Sequence, residues 1–173
     1  MPLMNIDDVN RLDRDGFVAA LGWVFEGSPW VSERAWAMRP FASLDSLHRA
    51  MVTQVENAGA DDQLALLRAH PDLGARYGSA PSQQSLSDAS SREQAGAGLD
   101  SLTATELERL RALNAGYSDK FGFPFVVAVK GRTKHDILDA LERRLTSPRD
   151  EEQREALKQV FQIARFRLED AIS

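Results

Sequence analysis

Apolar residues return at helical spacing along most of this chain, and capping residues interrupt them often enough to divide it into short helices. Phe17, Leu21, Val24 and Phe25 fall at i, i+4, i+7 and i+8 behind Asp13, which places one apolar face behind a helix-starting residue. Ser28-Pro29 supplies an N-cap and the proline favoured at the first helical position ahead of "WVSERAW". Ser43 precedes Leu44, Leu47, Met51 and Val55, with Gly59 just beyond the end. "DDQLALLRA" over 61–69 is a further helix, stopped by Pro71 because a residue before proline is pushed out of the α region. Ser90 heads a short helix in "SSREQAGAG", and Thr103 with Glu106 forms a capping box for a longer one carrying Leu107, Leu110, Leu113 and Tyr117. Thr133 opens a helix that turns Ile137, Leu138, Leu141 and Leu145 inward, and Ser147-Pro148 begins the last and longest. The expected fold class is all-α, a bundle of about eight helices.

One stretch departs from this pattern. "FGFPFVVAVKG" is aromatic and β-branched with glycines at both ends, but Pro124 argues against a central strand. The expectation is an extended segment near 123–130, tucked into a helical protein. From Gly74 to Ala89 the composition turns to Gly, Ser, Gln and Pro, a loop long enough to suggest function. Nothing repeats on either side of it, and 173 residues suit one well-buried core, so residues 1–173 are read as a single domain.

Composition excludes several function classes. Lys and Arg number 21 against 26 Asp and Glu, a net charge of −5 with no basic block, which argues against a nucleic-acid partner. No apolar run approaches the roughly 20 residues that span a bilayer, and the acidic "MPLMNIDDVNRLDRD" is unlike a signal peptide, so the expected setting is cytoplasmic and away from membranes. The absence of cysteine removes disulfides, thiolate nucleophiles and Cys-ligated metals.

The remaining candidates are few. His70 follows a helix whose terminal carbonyls favour a protonated imidazole, so it is either a C-terminal cap or a proton donor. The other histidines, His48 and His135, fall on solvated faces, and no pair has metal-ligand spacing, so no metal site is expected. Glu93 either closes a capping box with Ser90 or, in a partly buried site, acts as a general acid or base. On the last helix Arg165 has Gln162 and Glu169 within a turn, whereas Arg167 is bordered by Ile163, Ala164 and Ala171; Arg167 is the more buried, and needs a carboxylate partner from the protein or from a ligand. Lys130 after "FVVAV" is a weaker candidate, as a Schiff-base lysine or a lysine at a loop edge.

Taken together, "HPDLG", "SSREQAGAGL", "KFGFPFVVAVKG" and "IARFRLED" resemble, in order and spacing over nearly the whole chain, the 2-oxo-4-hydroxy-4-carboxy-5-ureidoimidazoline (OHCU) decarboxylases of urate breakdown. The resemblance implies an all-helical, cofactor-free, commonly homodimeric enzyme that converts OHCU to (S)-allantoin with loss of carbon dioxide. It implies His70, Glu93 and Arg167 as catalytic residues. For substrate binding it implies Pro71, Ser90, Gln94, Phe125, Val126 and Val127, with Arg167 again. The competing expectations are a non-catalytic helical module that binds a ureide or carboxylate, and a Schiff-base lyase using Lys130.

Overall fold

Side-chain caps start the helices where the sequence places Ser, Thr, Asp and Asn. In the computed structural model, which describes residues 3–74 and 88–173, Asp13, Ser43, Thr103 and Thr133 each accept a hydrogen bond from a backbone amide three residues on. Thr103 with Glu106 and Thr133 with Asp136 close full capping boxes. Among the described residues there are nine α-helices and no strand ladder, only an isolated bridge between Met4 and Ile172, so the fold is all-α. The chain divides into two compact units, Met1–Ala69 with Val160–Ser173, and His70–Gln159.

The first unit contains α1 (Ile6–Arg11), α2 (Arg14–Leu21), α3 (Trp30–Ala35), α4 (Leu44–Glu56) and α5 (Ala60–Arg68). It also takes residues 160–171 of the last helix, α9 (Arg149–Ala171). Its interior is Val9, Phe17, Leu21, Val31, Leu47, Met51, Val55, Leu66, Val160 and Leu168, each a burial worth roughly 1.5–3 kcal/mol for the larger side chains. Three details differ from expectation. Helix α1 sits where the sequence reading noted only acidity; its signature is the Asn5–Asp8 capping box. Val24 leaves the α2 helix for a 3-10 turn over Gly22–Val24, and Phe25 follows that turn in an extended backbone conformation. Ser28 does not cap α3; its hydroxyl donates to the Glu26 carbonyl at 3.0 Å, and Pro29 occupies the cap position.

The second unit contains α6 (Asp88–Gly96), α7 (Ala104–Phe121), α8 (Lys134–Arg144) and residues 149–159 of α9. Gly122 ends α7 in the left-handed region with φ +78°. Residues 123–129 are buried and carry neither helix nor ladder, as the aromatic, Pro-containing run leads one to expect. Tyr117 anchors them, its ring 4.6 Å from Phe121, 5.9 Å from Phe123 and 5.3 Å from Phe125. Of the loop read over 74–89, residues 75–87 lie outside the described residues, and 88–89 already belong to α6.

Candidate functional site

His70 follows directly on Ala69, the C-cap of α5, and is buried at 6% exposure with Pro71 beside it. The chain then turns through Asp72 and Leu73 to Gly74, and two helices of the second unit hold that turn by its backbone. Gln94 of α6, itself 3% exposed, accepts the Gly74 N–H at 2.9 Å. Asn114 of α7 donates from Nδ2 to the Leu73 carbonyl at 3.0 Å, while its Oδ1 is buried with no hydrogen-bond partner among the described residues. Because a carbonyl can only accept, this bond fixes which end of the Asn114 amide faces the turn. Gly74 has φ +73°, which favours glycine, and a Cβ there would stand 2.6 Å from Leu110 Cδ2, so Leu110 would have to shift. Burial pushes the Asp72 carboxyl above the ordinary aspartate range.

Helix α6 carries the rest of the expected polar set in this unit. Ser90 and Gln94 are four residues apart and both buried, with the half-buried Glu93 next to Gln94, so the three share one flank of a short helix. The capping-box reading of Ser90 and Glu93 is corrected: α6 begins at Asp88, which puts Ser90 inside the helix and away from the cap position. The Gln94–Gly74 bond therefore links the His70 turn to the helix that bears Ser90 and Glu93.

The extended segment is held by side chains. Arg144 of α8 donates from Nη1 to the Val126 carbonyl at 2.7 Å and lies 4.5 Å over the Phe125 ring. Gln159 of α9 accepts the Ala128 N–H at 3.0 Å. The amides of Phe125, Val126 and Val127 donate to no acceptor among the described residues. Arg144 is itself oriented by Glu152, whose Oε1 lies 2.7 Å from Nε and also accepts the Tyr117 hydroxyl at 2.5 Å. Burial and the Glu152 carboxylate push the Tyr117 phenol far above its usual range.

In the first unit the two arginines of the last helix part as their neighbours suggest. Arg165 is partly exposed and pairs with Asp45 and, at 2.9 Å, with Glu169. Arg167 is 2% exposed; Nη2 lies 2.8 Å from Glu26 Oε2, and Nη1 donates to the Trp23 carbonyl at 3.0 Å. The carboxylate that the sequence demanded for Arg167 is thus a protein side chain, Glu26, which carried no signal of its own. Asn114, Arg144 and Glu152 were also missed, although two were visible: Asn114 continues the Leu110–Tyr117 stripe, and Glu152 extends the Ala156–Val160 stripe back by one turn.

His48 is half-buried, with its Nε2 2.8 Å from the Phe161 carbonyl, whereas His135 is exposed. Lys130 lies exposed in the turn after the segment, which removes the desolvation a Schiff-base lysine requires. No group of three His, Cys, Asp or Glu that could hold a metal occurs among the described residues, and among them no helix is long and apolar enough to cross a membrane.

A profile of the OHCU decarboxylase family matches residues 10–169. The chain belongs to that family. Among OHCU decarboxylase relatives, the 2-oxo-4-hydroxy-4-carboxy-5-ureidoimidazoline decarboxylase of Haloferax volcanii is 47% identical over 98% of this chain and 97% of its own length. The uric acid degradation bifunctional protein PucL of Bacillus subtilis is 45% identical over 99% of this chain, which spans only 33% of that longer protein. A crystal structure of (S)-allantoin synthase superposes with TM-score 0.77 at 32% identity, covering 98% of this chain and 54% of that one.

Proposed function

We propose that this OHCU decarboxylase-family chain removes carbon dioxide from OHCU and releases (S)-allantoin. The observation that carries the proposal is the buried His70 on a turn locked to α6 by the Gln94–Gly74 hydrogen bond, in a chain matching the family over residues 10–169. Breaking the bond to the carboxylate leaves an electron pair, and decarboxylases often draw a sink for it from a cofactor. In OHCU the ring C=N beside the departing carboxylate accepts the pair, giving an ene intermediate that is then protonated at carbon. The protein's tasks are to hold the substrate, stabilise the displaced charge and deliver one proton to one face.

In this reading His70 addresses the carboxylate or hydroxyl end and moves a proton, with Pro71 shaping the wall beside it. Glu93 binds ring or ureido N–H groups and serves as the second acid or base. Gln94 spends its carbonyl on Gly74, so its amide nitrogen is the end that meets substrate, alongside the Ser90 hydroxyl one turn earlier. The amides of Phe125, Val126 and Val127 receive carbonyl oxygens, and Arg167 contributes the guanidinium, already steadied by Glu26.

Product chirality tests the proposal. Unassisted loss of carbon dioxide leaves a planar centre open on both faces and gives racemic allantoin. Circular dichroism of freshly generated OHCU with the protein should show an (S)-allantoin signal growing faster than the uncatalysed loss. Racemic product at the uncatalysed rate would reduce the chain to a ureide-binding module.

A further inference from the structure

We infer that Arg144 is a positioning residue for the substrate-binding segment 124–129, acting through the Val126 carbonyl and the Phe125 ring; this inference rests on the proposed function. Among the described residues the segment has no neighbouring strand, so no ladder fixes how its peptide groups face. The Val126 C=O and the Val127 N–H belong to one planar trans peptide and point in opposite directions. Arg144 takes that carbonyl at 2.7 Å, and Gln159 takes the Ala128 N–H at 3.0 Å. Holding the Val126 carbonyl therefore turns the Val127 N–H away from Arg144, and that amide meets no acceptor among the described residues.

What holds Arg144 is a buried network. Glu152 Oε1 lies 2.7 Å from Arg144 Nε and 2.5 Å from Nη2, and it also accepts the Tyr117 hydroxyl at 2.5 Å. Tyr117 in turn presents its ring at 5.3 Å and 78° to Phe125, on which the guanidinium also lies. Stability alone does not account for such an arrangement, because buried ion pairs replaced by well-packed apolar residues often cost nothing. The network delivers two things an apolar core would not: a directional donor to one carbonyl, and a cation on one ring face.

Three variants test this with purified protein and OHCU: Arg144→Lys, Gln159→Leu, and the apolar triple Tyr117→Phe, Arg144→Met, Glu152→Leu. Steady-state kinetics and the enantiomeric excess of allantoin are the readouts, with far-UV circular dichroism and thermal unfolding as the check on fold. The expected result for each folded variant is a KM raised at least tenfold, a smaller change in kcat, and a reduced enantiomeric excess. If the triple variant does not fold, Arg144→Lys and Gln159→Leu decide the matter, since the first keeps the charge and the second leaves the buried pair intact. Wild-type KM and wild-type enantiomeric excess in a folded Arg144 variant would overturn the inference. Failure of the unmodified protein to give optically active product would instead overturn the proposed function.

Discussion

Arg167 Nη2 lies 2.8 Å from Glu26 Oε2, and both side chains are almost wholly buried. This pair gives the arginine a structural reason to exist beside any role toward substrate, and the two are separable. Glu26→Ala leaves a buried guanidinium without its carboxylate and should cost about 3–5 kcal/mol, read from chemical denaturation. The double variant Glu26→Leu, Arg167→Met should recover most of that stability. If Arg167 binds substrate, the double variant remains at least roughly 100-fold impaired in kcat/KM while folded, and a folded, fully active double variant would confine Arg167 to a structural role.

His70→Ala should lower turnover by about 10²–10⁴-fold, the range expected for loss of a general acid or base. The check is kcat at saturating OHCU, with circular dichroism confirming the helical fold. Near-wild-type turnover would remove His70 from the chemistry.

Gly74→Ala should be among the more damaging small substitutions in the second unit. It forces an L side chain into φ +73° and drives a methyl to 2.6 Å from Cδ2 of the buried Leu110, which must shift to make room. Together these cost roughly 2–4 kcal/mol. A companion Leu110→Ala should return only the steric part. Thermal unfolding and kcat/KM of both variants check this, since the turn that shifts is the one bearing His70.

Glu106 ties the start of α7 to α8 through Lys134, 2.8 Å away, and this hydrogen bond, with the Thr103 cap, lowers its pKa from 4.5 to about 2. A carboxylate with a depressed folded-state pKa contributes stability above its unfolded value and loses it as protons bind. Glu106→Gln should therefore lower the melting temperature at pH 7. The gap from wild type should close as pH falls from 4.5 to about 2. A gap independent of pH would mean that charge has no part in it.

Local signals carried the helical parts of the fold into the sequence. Asp13, Ser43, Thr103 and Thr133 cap as written, since an N-cap depends on neighbours within a turn. Ser28 and Ser90 failed for the complementary reason: each has the right local pattern, but α3 starts at Trp30 with Pro29 at its cap, and α6 already includes Asp88. Arg167 was separable from Arg165 by the side chains within a turn of each, Ile163, Ala164 and Ala171 against Gln162 and Glu169, although the apolar period alone did not choose between them. Glu26 and Arg144 were not legible, because a buried ion pair is defined by a partner distant in sequence or across a turn, and no spacing rule encodes that.

The first unit is discontinuous, built from residues up to 69 and from 160 onward, while the second is one uninterrupted stretch. On the ribosome, residues 70–159 are all available to one another before Val160 emerges. The second unit can therefore close early, and the first is complete only once residues 160–173 have followed. Translation order thus makes Arg167 only after the whole of the second unit has emerged, so its pair with Glu26 closes late.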